Sequence, residues 1–427
     1  MREMKDSGIE WIGAIPAAWG VHRIASHFQE IKEKNTANAY SNALQFKMGK
    51  IIAKPQKWDE DETNETYSAY TVVHPNTIMI NGLNLEFDFV TQRVARVECN
   101  GIITSAYIAL SPRNDINAEY ICYLLKSYDA CRAFHSMGRG LRKILSYSEL
   151  KNKPIVVPPL AKQEHIAAFL DAECAEIDAV LEKTRASIEE YKKLKQAVIT
   201  QAVTKGIRGD MPMKDSGIEW IGDIPAEWDV VRIKNLFDYR NERNFKPLEE
   251  VNLISLYTDK GVVQHCDLDE TTGNKASNAD GYKLVYENDI VVNIILCWMG
   301  AIGRSAYFGV TSPAYDVYSP KQKINSKFYH YLFRTNGFSG DCYKVGRGIM
   351  AMRWRTYSDQ FRAIKVVSPQ KSEQEEIVEY LDEKCEGIDD LIAKKQQYLT
   401  EIENYKKSLI YEYVTGKKEV KTSVLAD

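Results

Sequence analysis

The chain lacks the signatures of an enzyme, a metal site and a membrane protein. Its 427 residues include no G-x-x-x-x-G-K-[ST] phosphate loop, no G-x-S-x-G nucleophile turn and no Asn-Pro-Pro-Tyr or Asp-Pro-Pro-Tyr tetrapeptide of amino-methyltransferases. No apolar run reaches the roughly 18 residues that a transmembrane helix needs. The eight cysteines include no C-x-x-C pair, so neither a zinc site nor a disulfide framework is indicated. These absences favour a binding protein of the reducing cytoplasm, with no catalytic residue, metal or cofactor of its own.

Overall charge gives no sign of nucleic-acid binding, but two stretches are locally basic. The formal net charge is −3, so a DNA-binding role requires that positive charge be concentrated. Residues 131–153 hold six Lys or Arg against one acidic residue, and residues 340–365 hold six against two. Each stretch contains a Gly-Arg-Gly tripeptide, and an arginine between two glycines approaches a phosphate or a guanine edge closely. The alternative is a loop that simply faces solvent.

The candidate DNA-binding side chains come from these stretches and from three asparagines that follow predicted strands. An asparagine has the donor and acceptor to pair with an adenine edge, although asparagine at the end of a strand is also a common turn residue. The candidates are Arg139, Arg142, Lys143, Arg347, Arg353, Arg355, Asn81, Asn84 and Asn293.

The two halves of the chain repeat each other. Residues 4–24 and 213–233 are identical at 17 of 21 positions, and residues 163–204 and 374–415 at 14 of 42 without a gap. The sequence between the motifs has short β-branched and aromatic runs typical of strands, and it differs between the halves. The predicted organisation is a globular domain over 1–158, a long helix over 159–206, a second domain over 207–369, a second long helix over 370–418 and a tail over 419–427.

Both predicted helices carry an apolar residue every 3.5 positions, which is the requirement for two helices to supercoil. A lysine at the same seam position in each helix has the potential to fix the register of the pair. Ser372 is predicted as the N-cap of the second helix, and Gly206 and Gly416 as C-caps. The alternative is two unrelated amphipathic helices. The predicted seam consists of Leu170, Cys174, Ile177, Leu181, Ile188, Lys195, Leu381, Cys385, Ile388, Ile392, Leu399 and Lys406.

The chain resembles the specificity subunits of type I restriction–modification enzymes over nearly its whole length. The resemblance rests on the order domain, helix, domain, helix and on the motif Ile-Pro-Ala-x-Trp at residues 15–19 and 224–228. It rests most strongly on the signature Gln-Glu, Ile, Leu-Asp and Ile-Asp. This signature is held by Gln163-Glu164, Ile166, Leu170-Asp171 and Ile177-Asp178, and again by Gln374-Glu375, Ile377, Leu381-Asp382 and Ile388-Asp389.

The resemblance implies an α+β fold of two pseudo-twofold-related α/β target recognition domains, separated by two long helices that form an antiparallel coiled coil. Each domain would read one half of a split site in double-stranded DNA. The helices would set the spacer between the halves and dock two modification subunits, which bind S-adenosylmethionine and methylate adenine. Two restriction subunits using ATP and Mg would cut the DNA, and no membrane would be involved.

Two other interpretations stay open at the level of sequence. One is a structural or interaction protein, with two lectin-like or peptide-binding domains on a coiled-coil spacer. The other is the detached specificity part of a fused restriction–methyltransferase. If the helices act as a ruler, four residues inserted in one of them would add about 6 Å and change the spacer while leaving both half-sites unchanged.

Overall fold

The computed structural model describes residues 2–55, 67–89, 91–113, 115–140, 143–265, 278–348 and 354–420. The chain divides into two compact units, unit 1 comprising residues 1–185 and 397–427 and unit 2 comprising residues 186–396. Each unit therefore contains one globular domain, the first part of the long helix that follows this domain and the last part of the other long helix. Within the described residues, no helix is long and apolar enough to cross a bilayer.

The strands of unit 1 pair antiparallel. Its strands within the described residues are β1 (Met4–Asp6), β2 (Ala14–Pro16), β3 (Gly20–Arg23), β4 (Phe28–Glu30), β5 (Leu44–Lys47), β6 (Lys50–Ala53), β7 (Thr71–Val73), β8 (Ile78–Ile80), β9 (Val94–Arg96), β10 (Gly101–Ile103), β11 (Ile108–Pro112) and β12 (Pro154–Val157). Its helices are α1 (Ile24–His27), α2 (Ala118–Ala130), α3 (Ala133–Met137), α4 (Tyr147–Leu150) and the first part of α5 (Leu160–Lys205). The largest sheet has the order β4-β11-β8-β9, and β8 is a fully buried strand at its centre.

Unit 2 repeats this order. Its strands within the described residues are β13 (Met213–Asp215), β14 (Asp223–Pro225), β15 (Asp229–Arg232), β16 (Phe237–Arg240), β17 (Ile254–Tyr257), β18 (Gly261–Gln264), β19 (Lys283–Val285), β20 (Ile290–Asn293), β21 (Ile302–Arg304), β22 (Gly309–Thr311), β23 (Tyr315–Pro320) and β24 (Lys365–Ser368). Its helices are α6 (Ile233–Leu236), α7 (Ser326–Phe333), α8 (Asn336–Val345), α9 (Ser358–Ala363) and the first part of α10 (Lys371–Val414), with 3-10 turns at Leu248–Glu250 and Cys297–Met299. Its largest sheet has the order β16-β23-β20-β21, in which β20 corresponds to β8.

The repeated N-terminal motif is part of the core of each unit. Ile15 and Trp19 are buried in unit 1, and Ile224 and Trp228 are buried in unit 2. The Trp19 side chain belongs to the same apolar cluster as residues from β8, α2, the start of α5 and the end of α10. This burial accounts for the repetition of the apolar positions of the motif, since they fill equivalent places in the two cores.

The long helices α5 and α10 run antiparallel within each unit. In unit 1 the Asp178 carboxylate accepts from the Lys406 ammonium at 2.6 Å, and the rings of Phe169 and Tyr413 lie 4.5 Å apart. Residue numbers therefore rise along one helix as they fall along the other. In unit 2 the Lys195 ammonium lies 2.6 Å from the Asp389 carboxylate. None of the twelve predicted seam residues is exposed, and the predicted α+β class with two long antiparallel helices is confirmed.

The predicted helix ends hold at the C-termini and fail at one N-terminus. Gly206 and Gly416 follow the last helical turns with φ of +76° and +71°, and the Gly206 amide donates to the Ala202 carbonyl at 3.1 Å. The N-cap prediction for Ser372 is wrong, because α10 already begins at Lys371. Ser372 lies inside the first turn.

Candidate nucleic-acid interface

The Gln-Glu signature fastens each long helix to its own domain. The Gln163 side chain accepts from the Asn117 amide at 2.9 Å and donates to the Pro158 carbonyl at 2.9 Å. Gln374 repeats both bonds at 2.8 Å in unit 2, with the Asn325 amide and the Pro369 carbonyl. Both glutamines are 1% exposed. Each one therefore links the start of a long helix to the residue that caps the main helix of the domain.

The aspartates of the signature also have fixed partners. The Asp171 carboxylate accepts from the Tyr123 hydroxyl at 2.7 Å, and the Asp382 carboxylate accepts from the Tyr331 hydroxyl at 2.7 Å. Burial, and then the hydrogen bond to Asp382, raises the pKa of Tyr331 far above its usual range. The hydroxyl therefore keeps its proton and stays a donor. These contacts fix the beginning of each long helix to the domain that precedes it.

In unit 1 the Gly-Arg-Gly tripeptide forms a hairpin. The Arg139 and Ile144 backbones exchange hydrogen bonds of 3.1 and 3.0 Å, and Gly140 turns the chain with φ of +80°. Arg139 and Lys143 are both exposed on it. Arg142 lies outside the described residues, so its predicted role has no structural account.

The hairpin rests on the loop that follows β8. The Leu145 amide donates to the Gly82 carbonyl at 2.9 Å, and the Leu85 amide donates to the Lys143 carbonyl at 3.3 Å. A Cβ on Gly82 would lie 2.2 Å from the Leu145 carbonyl oxygen, so only glycine permits this approach. The structure therefore brings the predicted residues Asn81 and Asn84 next to the Gly-Arg-Gly hairpin.

The two asparagines of this loop differ in availability. The Asn81 side chain accepts from the Leu83 amide at 3.1 Å and is half-buried, which is the turn-forming role. Asn84 is exposed and has φ of +53°, the left-handed conformation that asparagine tolerates better than most residues. Of the two, Asn84 is the more exposed.

In unit 2 the equivalent hairpin joins Arg347 and Arg355. Their backbones exchange hydrogen bonds of 2.9 and 3.0 Å, and both residues are exposed. The Trp354 ring stacks on Tyr343 with centroids 5.0 Å apart, and its Nε1 donates to the Tyr343 carbonyl at 3.0 Å. The hairpin is thereby fixed to the end of α8. Arg353 lies outside the described residues.

The loop after β20 lies beside this hairpin but has a different construction. The Thr356 amide donates to the Ile294 carbonyl at 2.9 Å. Asn293 is 7% exposed, and its side chain accepts from the Ile295 and Leu296 amides at 3.0 and 3.3 Å. The structure therefore gives Asn293 the turn-forming role that was the alternative to base contact.

The sequence did not single out the apolar and aromatic side chains that these loops expose. Phe87 and Phe89 are 76% and 55% exposed in unit 1, and Met299 is 53% exposed in unit 2. The fully buried Arg93, which supports the unit 1 loop, was also missed. In sequence an arginine after a loop is indistinguishable from a surface arginine, so only coordinates reveal its burial.

Comparison with known proteins agrees with this architecture. The chain matches the model of the type I restriction modification DNA specificity domain over residues 99–190 and 225–403, which is more than half of its length. The type I restriction enzyme MjaVIII specificity subunit of Methanocaldococcus jannaschii is 25% identical, over 95% of this chain and 94% of the relative. The putative type I restriction enzyme MjaX specificity subunit of the same organism is 24% identical, over 96% of both chains.

A solved structure described as "Structural basis underlying complex assembly and conformational transition of the type I R-M system" includes a chain of the same fold. The TM-score is 0.69 at 12% identity, over 95% of this chain and 99% of that one. The family match, the relatives and the duplicated order of domain and helix all agree, and the chain belongs to the family of type I restriction–modification DNA specificity proteins.

Proposed function

We propose that this chain is the sequence-recognition subunit of a type I restriction–modification complex and that each unit reads one half of a bipartite site in double-stranded DNA. One observation carries the proposal. The same fold occurs twice, and each copy exposes a Gly-Arg-Gly hairpin beside the loop that follows its central buried strand. The backbone bonds within each hairpin, and the one from each hairpin to the loop beside it, are alike in the two copies, whereas the exposed side chains are different. This combination is what two readers of different sequences require.

The cationic side chains divide into two sets of contacts. Arg139 and Lys143 serve unit 1, and Arg347 and Arg355 serve unit 2. Arginine donates in a fork to guanine O6 and N7, whereas lysine acts on phosphate as a point charge. We therefore assign base reading to the arginines and backbone positioning to Lys143.

The long helices hold the spacer and receive the modification subunits in this proposal. Each helix is unbroken, with 46 residues in α5 and 44 in α10. Val180 and Tyr405 in unit 1, like Leu194 and Leu391 in unit 2, are between 40% and 56% exposed. Each of the four directly precedes a seam residue, which places each pair on one flank of an antiparallel coiled coil. An apolar helix face of a modification subunit fits such a flank.

In this proposal the partner subunits, and not this chain, carry out the catalytic reactions. S-adenosylmethionine would be bound by two modification subunits, and ATP and Mg by two restriction subunits, with this chain supplying the target. The family relationship favours this division over a lectin-like or peptide-binding protein. A detached part of a fused restriction–methyltransferase would differ in needing no separate restriction subunit.

The proposal is tested by selecting sequences from a randomised pool of duplex DNA with the full-length chain. A bipartite motif is the expected result. Arg139→Ala should relax one half of the motif and Arg347→Ala the other, with a loss of about 1–3 kcal/mol each at the affected base pair. Lys151→Ala, which changes an exposed cation outside the hairpin, is the control. Absence of any motif, or equal loss on all sequences for both arginine variants, would contradict sequence reading by these hairpins.

A further inference from the structure

The loop after β8 in unit 1, residues 81–89, is held in shape by a buried arginine. The Arg93 guanidinium donates to the Leu83 carbonyl at 2.7 Å, to the Asp88 carbonyl at 2.6 Å and to the Asn81 carbonyl at 3.2 Å. It is completely buried, and it also lies 3.7 Å from the Asp88 carboxylate. A buried charge is costly unless it is paired and hydrogen-bonded. With a longer bond of 3.5 Å to the Asn84 carbonyl, the charge fixes four backbone carbonyls of one loop.

The rigid loop carries an unusually exposed phenyl ring at its turn. The Phe87 amide donates to the Asn84 carbonyl at 3.3 Å, and the neighbouring Asp88 amide donates to the same carbonyl at 3.1 Å. The Phe87 side chain is 76% exposed. Within the described residues no ring or cation–π contact involves Phe87, whereas Phe89 stacks on His135 with centroids 5.1 Å apart. The turn is therefore fixed while its ring points away from the unit.

The surroundings of this turn suit a polyanion. The loop is bonded through Leu85 to Lys143 in the Gly-Arg-Gly hairpin, and the Arg132 guanidinium lies 5.1 Å from the Phe89 ring centroid. Glu86 and Asp129 are acidic neighbours; Asp129 accepts from the Arg93 backbone amide at 2.7 Å, and Asp88 is paired with the Arg93 guanidinium. An isolated exposed phenylalanine needs no explanation. A phenylalanine on a loop that is held by a buried charge and lies near exposed cations does call for an explanation.

We infer that Phe87 acts as an apolar wedge that enters a base step of the half-site read by unit 1, and that Arg93 is the positioning residue that holds it. Proteins that deform DNA insert such side chains between bases, where the lost stacking is replaced by contact with the ring. The position equivalent to Arg93 in unit 2 is Ala301, because the Asn81 and Asn293 amides donate to the Arg93 and Ala301 carbonyls. Unit 2 thus lacks this brace, and the wedge is specific to one half-site. This inference rests on the proposed function.

The wedge is tested with the full-length chain on the selected duplex. With 2-aminopurine placed at successive positions of each half-site, the native chain should raise its fluorescence at one step of the unit 1 half-site. Phe87→Ala should abolish that signal and weaken binding by about tenfold, since base–aromatic contacts are worth that much. Phe87→Trp should retain both. Phe245→Ala in unit 2 removes a ring that is 81% exposed and serves as the matched control.

Arg93→Lys tests the positioning role, because one ammonium cannot serve carbonyls spread along the loop. It should lower affinity for the unit 1 half-site and leave the other half of the motif unchanged. Combined with Phe87→Ala it should add little further loss, since both act through the same ring. If the losses of affinity of the two single variants instead add up in the double variant, Arg93 does not act through Phe87 and its positioning role is wrong.

The outcomes separate the inference from the function beneath it. If the native chain selects a bipartite motif but no position brightens, or if Phe87→Ala binds like the native chain, the wedge is wrong and the recognition function stands. If the native chain selects no motif, the proposed function itself fails.

Discussion

Replacement of Gln163 by methionine tests whether the family signature is a structural clamp. Methionine has nearly the volume of glutamine but neither donates nor accepts in the same way. The substitution leaves the Asn117 amide and the Pro158 carbonyl, each bonded at 2.9 Å in the native chain, without their partner. A buried polar group left unsatisfied costs about 1–3 kcal/mol, so the free energy of unfolding of unit 1 should fall by about 2–4 kcal/mol.

The assay is scanning calorimetry of the full-length chain. For a unit of this size each kcal/mol lowers the melting temperature by about 2–4 °C, so the unit 1 transition should move by roughly 5–15 °C. Gln374→Met should shift the unit 2 transition by a similar amount, because its two bonds at 2.8 Å are equivalent. Gln196→Met, at an exposed position of α5, is the control. Melting of Gln163→Met within 1 °C of the native chain would refute the clamp.

Two further predictions concern the backbone of unit 1 and the titration of unit 2. Gly416→Ala should destabilise unit 1 by more than about 1–2 kcal/mol in urea unfolding, because φ is +71° and the new Cβ would lie 2.6 Å from the Pro16 ring. Gly140→Ala is the control for the backbone strain alone, because φ is +80° and its new Cβ would have no atom within 4 Å. If the two variants are equally stable, the contact with Pro16 is not the cause. Burial, and then the nearby Arg334, lowers the pKa of His330 to about 3 from 6.5. Below pH 6.5 the His330 side chain is therefore protonated in the unfolded chain but stays neutral in the folded chain. Unit 2 should therefore lose stability as pH falls from 6.5 towards 3, and His330→Gln should flatten that decline in urea midpoints measured between pH 7 and pH 5.

The helices and their seam were predictable because their signal is periodic and repeated. A 3.5-residue pattern depends only on which side chains face a partner, and two copies of it reinforce each other. The start of α10 was less predictable, since a serine followed by glutamate fits a cap at several adjacent positions. Ser372 satisfied the pattern, but the helix had already begun one residue earlier.

The candidate interface was predictable in its location and less so in its chemistry. Local charge and glycine spacing placed the hairpins of Arg139 and Arg347 correctly on exposed loops. They did not distinguish Asn84, which is exposed, from Asn293, which is consumed by its own turn. That difference depends on backbone hydrogen bonds within each loop, as does the brace of Arg93. Amino-acid composition predicts neither the loop hydrogen bonds nor the contacts of Arg93.

The hydroxyl of Tyr120 donates to the Val156 carbonyl at 3.2 Å and to the Val414 carbonyl at 2.9 Å. Val414 is fully buried in the same apolar cluster as Trp19. Of the two domains, the one that is synthesised first therefore closes its core only after Val414 has been synthesised. Unit 2, which is continuous in sequence, has all its residues available earlier. A nonsense mutation just after residue 396 would accordingly damage the first-made domain and leave the second-made one whole.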